Sequence, residues 1–271
     1  MPATAKALTA TKDRPPTEDE LMHADGRLVS EADYWAYYYD FADVHYEWNN
    51  GRLEEKPVSD NLTYWIYDWL RDLLNAFLKV HPIAKCTALE HGFRLALPDR
   101  IVIRKPDLAV VRNDNPVPLG DLDCSYRGIF DLCIEALSDT SRGAVERDTV
   151  EKRQDYAEIG VREYYIVHHG PDRLMFLSRG PDDSFQSILG ADGIVRSRTL
   201  PGFQFRIRDL LGRTSIADLR HDPVYRAFVH PAWQQEEEAR QQAELERQQA
   251  QQAQQQAELD RRAEQQARQA T

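Results

Sequence analysis

The sequence contains no apolar run near the roughly 20 residues that a membrane-spanning helix needs. Its first twenty residues mix lysine, arginine, proline and acids without an apolar stretch, so we expect no secretory leader. Only three cysteines occur, Cys86, Cys124 and Cys133, and their spacing matches no common metal site. An odd number of cysteines without an export signal favours a reducing compartment. We therefore expect a cytoplasmic protein that does not contact a membrane.

Positive charge is also scarce. The chain has 34 lysines and arginines against 45 acids, which gives a net charge of −11 at pH 7. Nucleic-acid-binding domains usually have a basic surface, so this charge opposes DNA as a partner. A glycine-rich phosphate loop and a G-x-S-x-G motif are both missing, and the eight histidines form no ligand motif.

Composition divides the chain into three parts. Residues 1–28 are polar and contain proline, so we predict disorder there. Residues 29–231 are expected to form the folded domain, since 42% hydrophobic residues can build a core. Residues 232–271 are almost all Gln, Glu, Ala and Arg, without Gly or Pro, and predict a helical tail.

The tail also contains an internal repeat. The segment Gln241–Arg247 recurs fourteen residues later as Gln255–Arg261, which is a spacing of two heptads. Alanines form a weak coiled-coil seam, but Glu246, Asp260 and Glu264 interrupt it. The pattern is therefore consistent with a coiled coil that joins copies of the chain, and equally with a solvated single helix or a disordered glutamine-rich tail.

The order of predicted elements indicates a mixed-sheet α/β domain. A capping motif at Ser30–Asp33 predicts a helix, and Asn49-Asn50-Gly51 predicts a hairpin turn. Helical spacing of apolar residues predicts a helix from Asp60–Asn61 to about Lys79. The further predicted elements are strands near 84–89, 93–97, 107–111 and 129–137, a helix near 144–159, and strands near 163–167 and 174–177.

Three charged side chains occupy apolar surroundings in these elements. Asp107 precedes an apolar strand, Glu135 lies inside another, and Lys152 falls on the least polar face of the predicted helix. Buried charges are costly unless they meet each other or a metal, so we expect the three to converge. Taken singly, each has a simpler explanation: a strand-start acid, an ion-paired glutamate and a lysine whose stem alone is buried.

Two carboxylates and a lysine are the components of a magnesium-dependent phosphodiesterase site. In such a site Asp107 and Glu135 would bind Mg²⁺ or Mn²⁺ through their oxygens. Lys152 would orient or help deprotonate the attacking water and offset phosphate charge. Glu47, just before the Asn-Gly turn, is a further candidate, although an exposed hairpin acid is an equally good interpretation.

These motifs, in this order, resemble the Uma2 family of bacterial restriction endonucleases, which belongs to the PD-(D/E)XK nuclease superfamily. The resemblance covers about residues 30–180 and is found in the segments Tyr46–Leu53, Pro106–Val111, Ile134–Ser138, Lys152–Tyr156 and Gly160–Val167. It implies a restriction-endonuclease-like α/β fold, with a mixed sheet flanked by helices. It also implies a metal-dependent endonuclease that cleaves DNA, with Asp107, Glu135, Lys152 and Glu47 as catalytic residues.

The chain departs from the family pattern at several positions. Leu137 stands where the superfamily has a lysine two residues after the glutamate, and Lys152 supplies the lysine from the next helix. Asp139 replaces a proline, His168 stands near a usual aspartate, and Asn61 where relatives often have histidine. The alternative hypothesis is a catalytically silent interaction protein on the nuclease fold, which assembles through its helical tail.

Overall fold

The computed structural model describes the backbone of residues 14–269 and the side chains of residues 14–257. The chain divides after Thr214 into two compact units. Of the segment predicted to be disordered, residues 1–13 lie outside the described residues. Residues 14–28 differ from that prediction, because they contain a short helix.

This helix, α1 (Glu18–Met22), is stabilised by local and distant contacts that composition does not reveal. Thr17 and Glu20 form a capping box in which each side chain accepts the backbone N–H of the other. The hydroxyl of Tyr46 donates to the carbonyl of Leu21 at 2.9 Å and accepts the N–H of Ala24 at 3.1 Å. Ala24 is fully buried as a result.

The further helices of the first unit surround its sheets. They are α2 (Glu31–Asp33), α3 (Asn61–Val80), α4 (Arg142–Glu146), α5 (Lys152–Ile159) and α6 (Ile207–Gly212). π-Helical turns extend α2 through Tyr34–Tyr38 and join α4 to α5 through Arg147–Glu151. The predicted helix near 144–159 therefore exists, but it has a wider turn directly before Lys152.

Helix α3 confirms the prediction made from its apolar spacing. Asp60 caps it, since Oδ1 accepts the N–H groups of Leu62 at 2.8 Å and Thr63 at 3.0 Å. Ile66, Leu73 and Phe77 on its apolar side are buried, whereas Leu62 and Trp65 in its first turns are exposed.

Twelve strands are present among the described residues. They are β1 (Tyr46–Asn49), β2 (Arg52–Glu55), β3 (Ala84–Ala88), β4 (Phe93–Ala96), β5 (Ile101–Arg104), β6 (Leu108–Arg112), β7 (Leu132–Ala136), β8 (Glu163–Val167), β9 (Met175–Arg179), β10 (Phe185–Ser187), β11 (Ile194–Arg196) and β12 (Gln204–Arg206). The predicted hairpin is the pair β1–β2, and both Asn50 and Gly51 have the positive φ that its turn needs.

The strands form two main sheets and one small ribbon. The first sheet has the order β2-β1-β5-β4 and is antiparallel. The second has the order β10-β9-β8-β7-β6-β3, in which β7 and β8 are parallel and the other pairs antiparallel. Strands β11 and β12 pair with each other. This mixed α/β architecture confirms the predicted fold class.

The central strands of the second sheet explain why its apolar runs are nearly continuous. Every residue of β8 is buried, and β6 and β7 are buried except at their last residues. The core between this sheet and α5 contains Cys133, Tyr156 and Tyr164. A charged side chain in these strands therefore faces the protein interior.

The second unit, residues 215–271, consists of a short 3₁₀ turn at Asp218–His221 and the long helix α7 (Val229–Gln269). Its buried side chains lie before residue 233 and include Tyr225, Phe228 and Ala232. From Trp233 to residue 257 the side chains are exposed, apart from a half-buried Glu237. Among the described residues, no helix is both long and apolar enough to cross a membrane.

Candidate active site

Asp107 and Glu135 lie on neighbouring strands of the second sheet. Asp107 stands directly before β6, and Glu135 lies in β7, which pairs with β6. Asp107 Oδ2 accepts the backbone N–H of Ala136 at 2.7 Å, so its carboxylate is held beside the residue that follows Glu135. The Asp107 side chain is 25% exposed and that of Glu135 is 2% exposed. Asp107 therefore forms the solvent side of the pair.

Lys152 is buried at the start of α5 and contacts three carboxylates. Its Nζ lies 3.1 Å from Glu135 Oε1, 3.2 Å from Glu47 Oε1 and 3.1 Å from Asp148 Oδ1. Asp148 is four residues earlier on the same helical stretch, whereas the two glutamates come from different sheets. The lysine side chain is only 2% exposed, so it does not extend to solvent as a surface lysine would.

Glu47 reaches this lysine from β1 of the first sheet. It is fully buried, so the interpretation as an exposed hairpin acid is wrong. Its second oxygen accepts from Arg104 at 3.1 Å, and its first also accepts the backbone N–H of Lys105 at 2.8 Å. These contacts fix the Glu47 carboxylate between the two sheets.

Lys56 and Glu90 belong to the same cluster, although sequence analysis missed both. Lys56 Nζ lies 2.9 Å from Asp107 Oδ1 and 2.9 Å from Glu90 Oε2, and it donates to the carbonyl of Lys105. Lys56 follows the charged run of β2, where a surface lysine is the usual expectation. Glu90 and the preceding Leu89 both have a positive φ, which places them in an uncommon conformation for non-glycine residues.

Arg104 and Tyr156 contact the two buried glutamates of the cluster and hold them in position. Arg104 is 1% exposed and contacts Glu54 at 2.6 Å and Asp155 at 2.8 Å in addition to Glu47. Tyr156 donates its hydroxyl to Glu135 Oε1 at 3.1 Å. Arg104 ends the apolar strand β5, so it is a charged residue in apolar surroundings, as Lys152 is. The sequence could therefore have indicated Arg104 as a member of the cluster.

Burial and neighbouring charges shift the pKa values of the cluster in opposite directions. Burial raises the pKa of Glu135 to about 8; Asp107 adds to the rise and Lys152 opposes it. Burial alone would also raise the pKa of Glu47, but Lys152 and Arg104 outweigh it and hold that pKa far below its usual range.

Neighbouring charges also outweigh burial at Lys152, where they raise the pKa. Burial alone would lower it, but Asp148, Glu135 and Glu47 outweigh burial, so the ammonium group stays charged. Five carboxylates contact the two lysines of the cluster: Glu90 and Asp107 contact Lys56, and Glu47, Glu135 and Asp148 contact Lys152. Near pH 7 Glu135 is mostly protonated, since its pKa is about 8, but the other four carboxylates still outnumber the two lysines. Such an excess favours a bound cation.

A cavity of about 580 Å³ lies next to the Lys56 side of the cluster. Glu90 and Lys105 line it, together with His45, His91 and residues of the loop after Tyr39. Glu90 therefore lies between the buried charges and a cavity that is large enough for a small ligand.

The structure also brings together Asp60, His168 and His169, which sequence analysis did not group. One carboxylate oxygen and one ring nitrogen from each histidine lie within 4.8 Å of one another. Asp60 precedes α3, and the histidines follow β8, so the sequence separation of about a hundred residues concealed the group. His169 Nδ1 lies 3.2 Å from Asp60 Oδ2, and His168 Nδ1 accepts the N–H of Gly170 at 2.8 Å. Existing hydrogen bonds therefore account for most of this arrangement.

A mixed sheet flanked by helices, with carboxylates on adjacent strands, is the architecture of the restriction-endonuclease-like class of folds, and in this chain the lysine comes from the following helix. The family model Uma2, described as "Putative restriction endonuclease", matches residues 32–208. This match covers more than half of the chain, so the chain belongs to the Uma2 family. The motifs that suggested this family all lie within the matched region.

A solved structure supports the fold. The crystal structure of "a putative nuclease belonging to DUF820 from Anabaena variabilis ATCC 29413" is similar, with a TM-score of 0.53 and 16% sequence identity. The match covers 68% of this chain and 98% of that chain. At this identity the similarity shows the fold alone. The comparison with curated proteins found no match.

Proposed function

We propose that the protein is a metal-dependent endonuclease that hydrolyses phosphodiester bonds of DNA in the cytoplasm. The observation that supports this most directly is the contact between Lys152 and Glu135 at 3.1 Å, beside the partly exposed Asp107. Lysine and carboxylates in this arrangement can bind a cation and a phosphate oxygen at adjacent positions.

The donor set suits a hard divalent cation. Mg²⁺ and Mn²⁺ prefer carboxylate oxygens, and Asp107 and Glu135 provide them from neighbouring strands. A cation held by these two residues would supply Lewis acidity at the scissile phosphate. It would also offset the excess of carboxylates around the two lysines.

The residues of the chain have separable roles in this proposal. Lys152 is charged, because three carboxylates raise its pKa. A charged ammonium group cannot accept a proton, so we assign it the orientation of the attacking water and the offset of phosphate charge. Glu47 positions this ammonium group from the first sheet, at 3.2 Å. Lys56 binds Asp107 and competes with a cation for the same oxygen.

The second candidate function is a silent nuclease fold that serves as an interaction module. Two observations favour it: every carboxylate of the cluster already contacts a lysine of the chain, and Glu135 and Lys152 are nearly inaccessible. The net charge of −11 also opposes DNA binding. In this case the exposed face of α7 would mediate assembly with further copies.

A cleavage assay decides between the two functions. Supercoiled plasmid, linear duplex and single-stranded DNA are incubated with the full chain and Mg²⁺ or Mn²⁺. We expect cleavage that disappears with EDTA and falls at least about a hundredfold in Glu135→Gln and Asp107→Asn, as for loss of a metal ligand. Glu158→Gln is the matched control, because Glu158 is an exposed acid of α5. Absence of cleavage on all substrates with both metals supports the silent module.

A further inference from the structure

A basic pocket of about 450 Å³ lies in the second unit, outside the residues that the family model matches. Four of its five lining residues are basic, Arg220, His221, Arg226 and His230, and the fifth is Ala227. No carboxylate lines this pocket, although the chain as a whole has a net charge of −11. The pocket is therefore a local basic surface on an acidic protein.

The basic side chains of the pocket have no acidic partner within the described part of the chain. Some exposed arginines elsewhere are paired, as in Arg196 with Asp192 at 2.7 Å and Arg240 with Glu237 at 2.8 Å. Within residues 14–257, the four side chains of the pocket form no ion pair with a carboxylate. The charges of Arg220 and Arg226 are therefore available to a ligand.

Arg220 is nevertheless held in place. Its Nη1 donates to the carbonyl of Ala217 at 2.9 Å, and its Nε donates to His221 Nε2 at 3.2 Å. Its guanidinium group also lies over the ring of Trp233, at 5.0 Å from the ring centre. These contacts orient the group without neutralising it, and such preorganisation lowers the entropy cost of binding an anion.

The start of α7 offers few N–H groups to a ligand. The Val229 N–H donates to the carbonyl of Tyr225 at 2.9 Å, the Ala232 N–H donates to the carbonyl of Phe228 at 3.4 Å, and Pro231 has no N–H. The positive charge of the pocket therefore comes from its two arginines, and the two histidines lie beside them.

We propose that this pocket binds a phosphate group. Guanidinium groups match the tetrahedral oxygens of phosphate through paired hydrogen bonds, and imidazoles donate further ones. The phosphate belongs either to a small ligand or to the backbone of a nucleic acid. The proposal does not depend on the nuclease activity, because none of its residues belongs to the Asp107–Glu135–Lys152 cluster.

Calorimetric titration of the full chain tests the proposal. One arm uses inorganic phosphate, and the other uses a single-stranded oligonucleotide without terminal phosphates. Both arms are run at constant ionic strength, adjusted with chloride. In Arg226→Gln we expect affinity to fall about tenfold, since one charge-assisted contact is lost. Arg247→Gln is the matched control, because it removes the same charge from an exposed position of α7.

The two arms identify the source of the phosphate. Binding of inorganic phosphate that Arg226→Gln weakens indicates a small ligand, and the same pattern with the oligonucleotide indicates a nucleic-acid backbone. The proposal is overturned if neither ligand binds, or if Arg226→Gln and Arg247→Gln behave alike. Thermal unfolding of both variants confirms that they are folded. Glu135→Gln should bind both ligands normally in the absence of divalent metal, which separates this pocket from the candidate active site.

Discussion

Lys152 Nζ lies 3.1 Å from Glu135 Oε1, and each of these side chains is only 2% exposed. The two residues come from different elements, α5 and β7, and meet where solvent is excluded. Removal of Lys152 is costly in such a place, because the charge of the neighbouring Glu47 would stay buried without its cationic partner. The contact therefore links the stability of the fold to the arrangement of the candidate active site.

Replacement of Lys152 by methionine should lower the free energy of unfolding by about 3–5 kcal/mol. The reason is that Glu47, Glu135 and Asp148 all lose the same cationic neighbour. Urea unfolding measures the change, and Arg153→Met serves as control because Arg153 is only half-buried next to it. The double variant Lys152→Met/Glu135→Gln should recover part of the loss. Equal stability of the two single variants would show that the buried contacts contribute little.

Millimolar Mg²⁺ should raise the melting temperature of the wild-type protein. Ligand binding stabilises a folded protein by mass action, about 2.7 kcal/mol at a hundred times the dissociation constant. The shift should vanish in Asp107→Asn and Glu135→Gln and persist in Glu158→Gln. NaCl of the same ionic strength controls for screening. A shift that is equal in all four proteins would place any bound Mg²⁺ elsewhere on the surface.

Lys56→Met should increase the affinity for Mg²⁺. Lys56 Nζ lies 2.9 Å from Asp107 Oδ1 and therefore occupies an oxygen that a metal needs. Its removal leaves the negative charges of Asp107 and Glu90 without their cation, which should lower stability in the absence of metal. Calorimetric titration with Mg²⁺ measures the affinity, and Lys85→Met is the control, since Lys85 is an exposed, paired lysine. Unchanged affinity argues that the metal does not bind at Asp107.

Local patterns in the sequence predicted much of the fold. Apolar spacing located α3, the Asn-Gly turn located the β1–β2 hairpin, and continuous apolar runs located β6, β7 and β8. Each of these signals depends on neighbours within one element, which is why a single sequence reveals it. The short helix α1 has a local signal, the capping box of Thr17 and Glu20, but its anchor Tyr46 is distant in sequence, and composition alone predicted disorder there.

The candidate site was predictable only in part, for the same reason. Glu135 and Lys152 stood out because charges interrupt apolar faces. Lys56 and Glu90 gave no such signal, since each lies in a polar stretch and is brought to Asp107 by the tertiary fold. The grouping of Asp60 with His168 and His169 likewise depends on the packing of α3 against the end of β8.

The three cysteines should differ sharply in reactivity toward a thiol reagent at pH 8. Cys124 is exposed, whereas Cys133 is fully buried. Burial raises the pKa of Cys86 to about 12, so almost none of its reactive thiolate form exists at this pH. We expect one fast-reacting thiol per native chain and three after denaturation, and Cys124→Ser should abolish the fast reaction. Rapid reaction of two or more thiols in the native protein would contradict the raised pKa of Cys86 or the burial of Cys133.

Truncation after Trp233 should leave the folded core almost unchanged. The side chains from residue 234 to 257 are exposed, apart from a half-buried Glu237, and bury little apolar surface. The buried residues of the second unit, including Phe228 and Ala232, are retained in the shortened chain. The melting temperature should therefore stay within a few degrees, since about 1 kcal/mol corresponds to about 2–4 °C in a protein of this size.

The same truncation tests whether the tail joins copies of the chain. If the alanine seam forms a coiled coil, the full chain should have at least twice the solution mass of one chain, and the shortened form should be monomeric. Light scattering after size-exclusion chromatography measures both masses. Monomers in both cases favour the solvated single helix. A large loss of thermal stability on truncation would instead show that the tail contributes to folding, which the exposed side chains of residues 234–257 contradict.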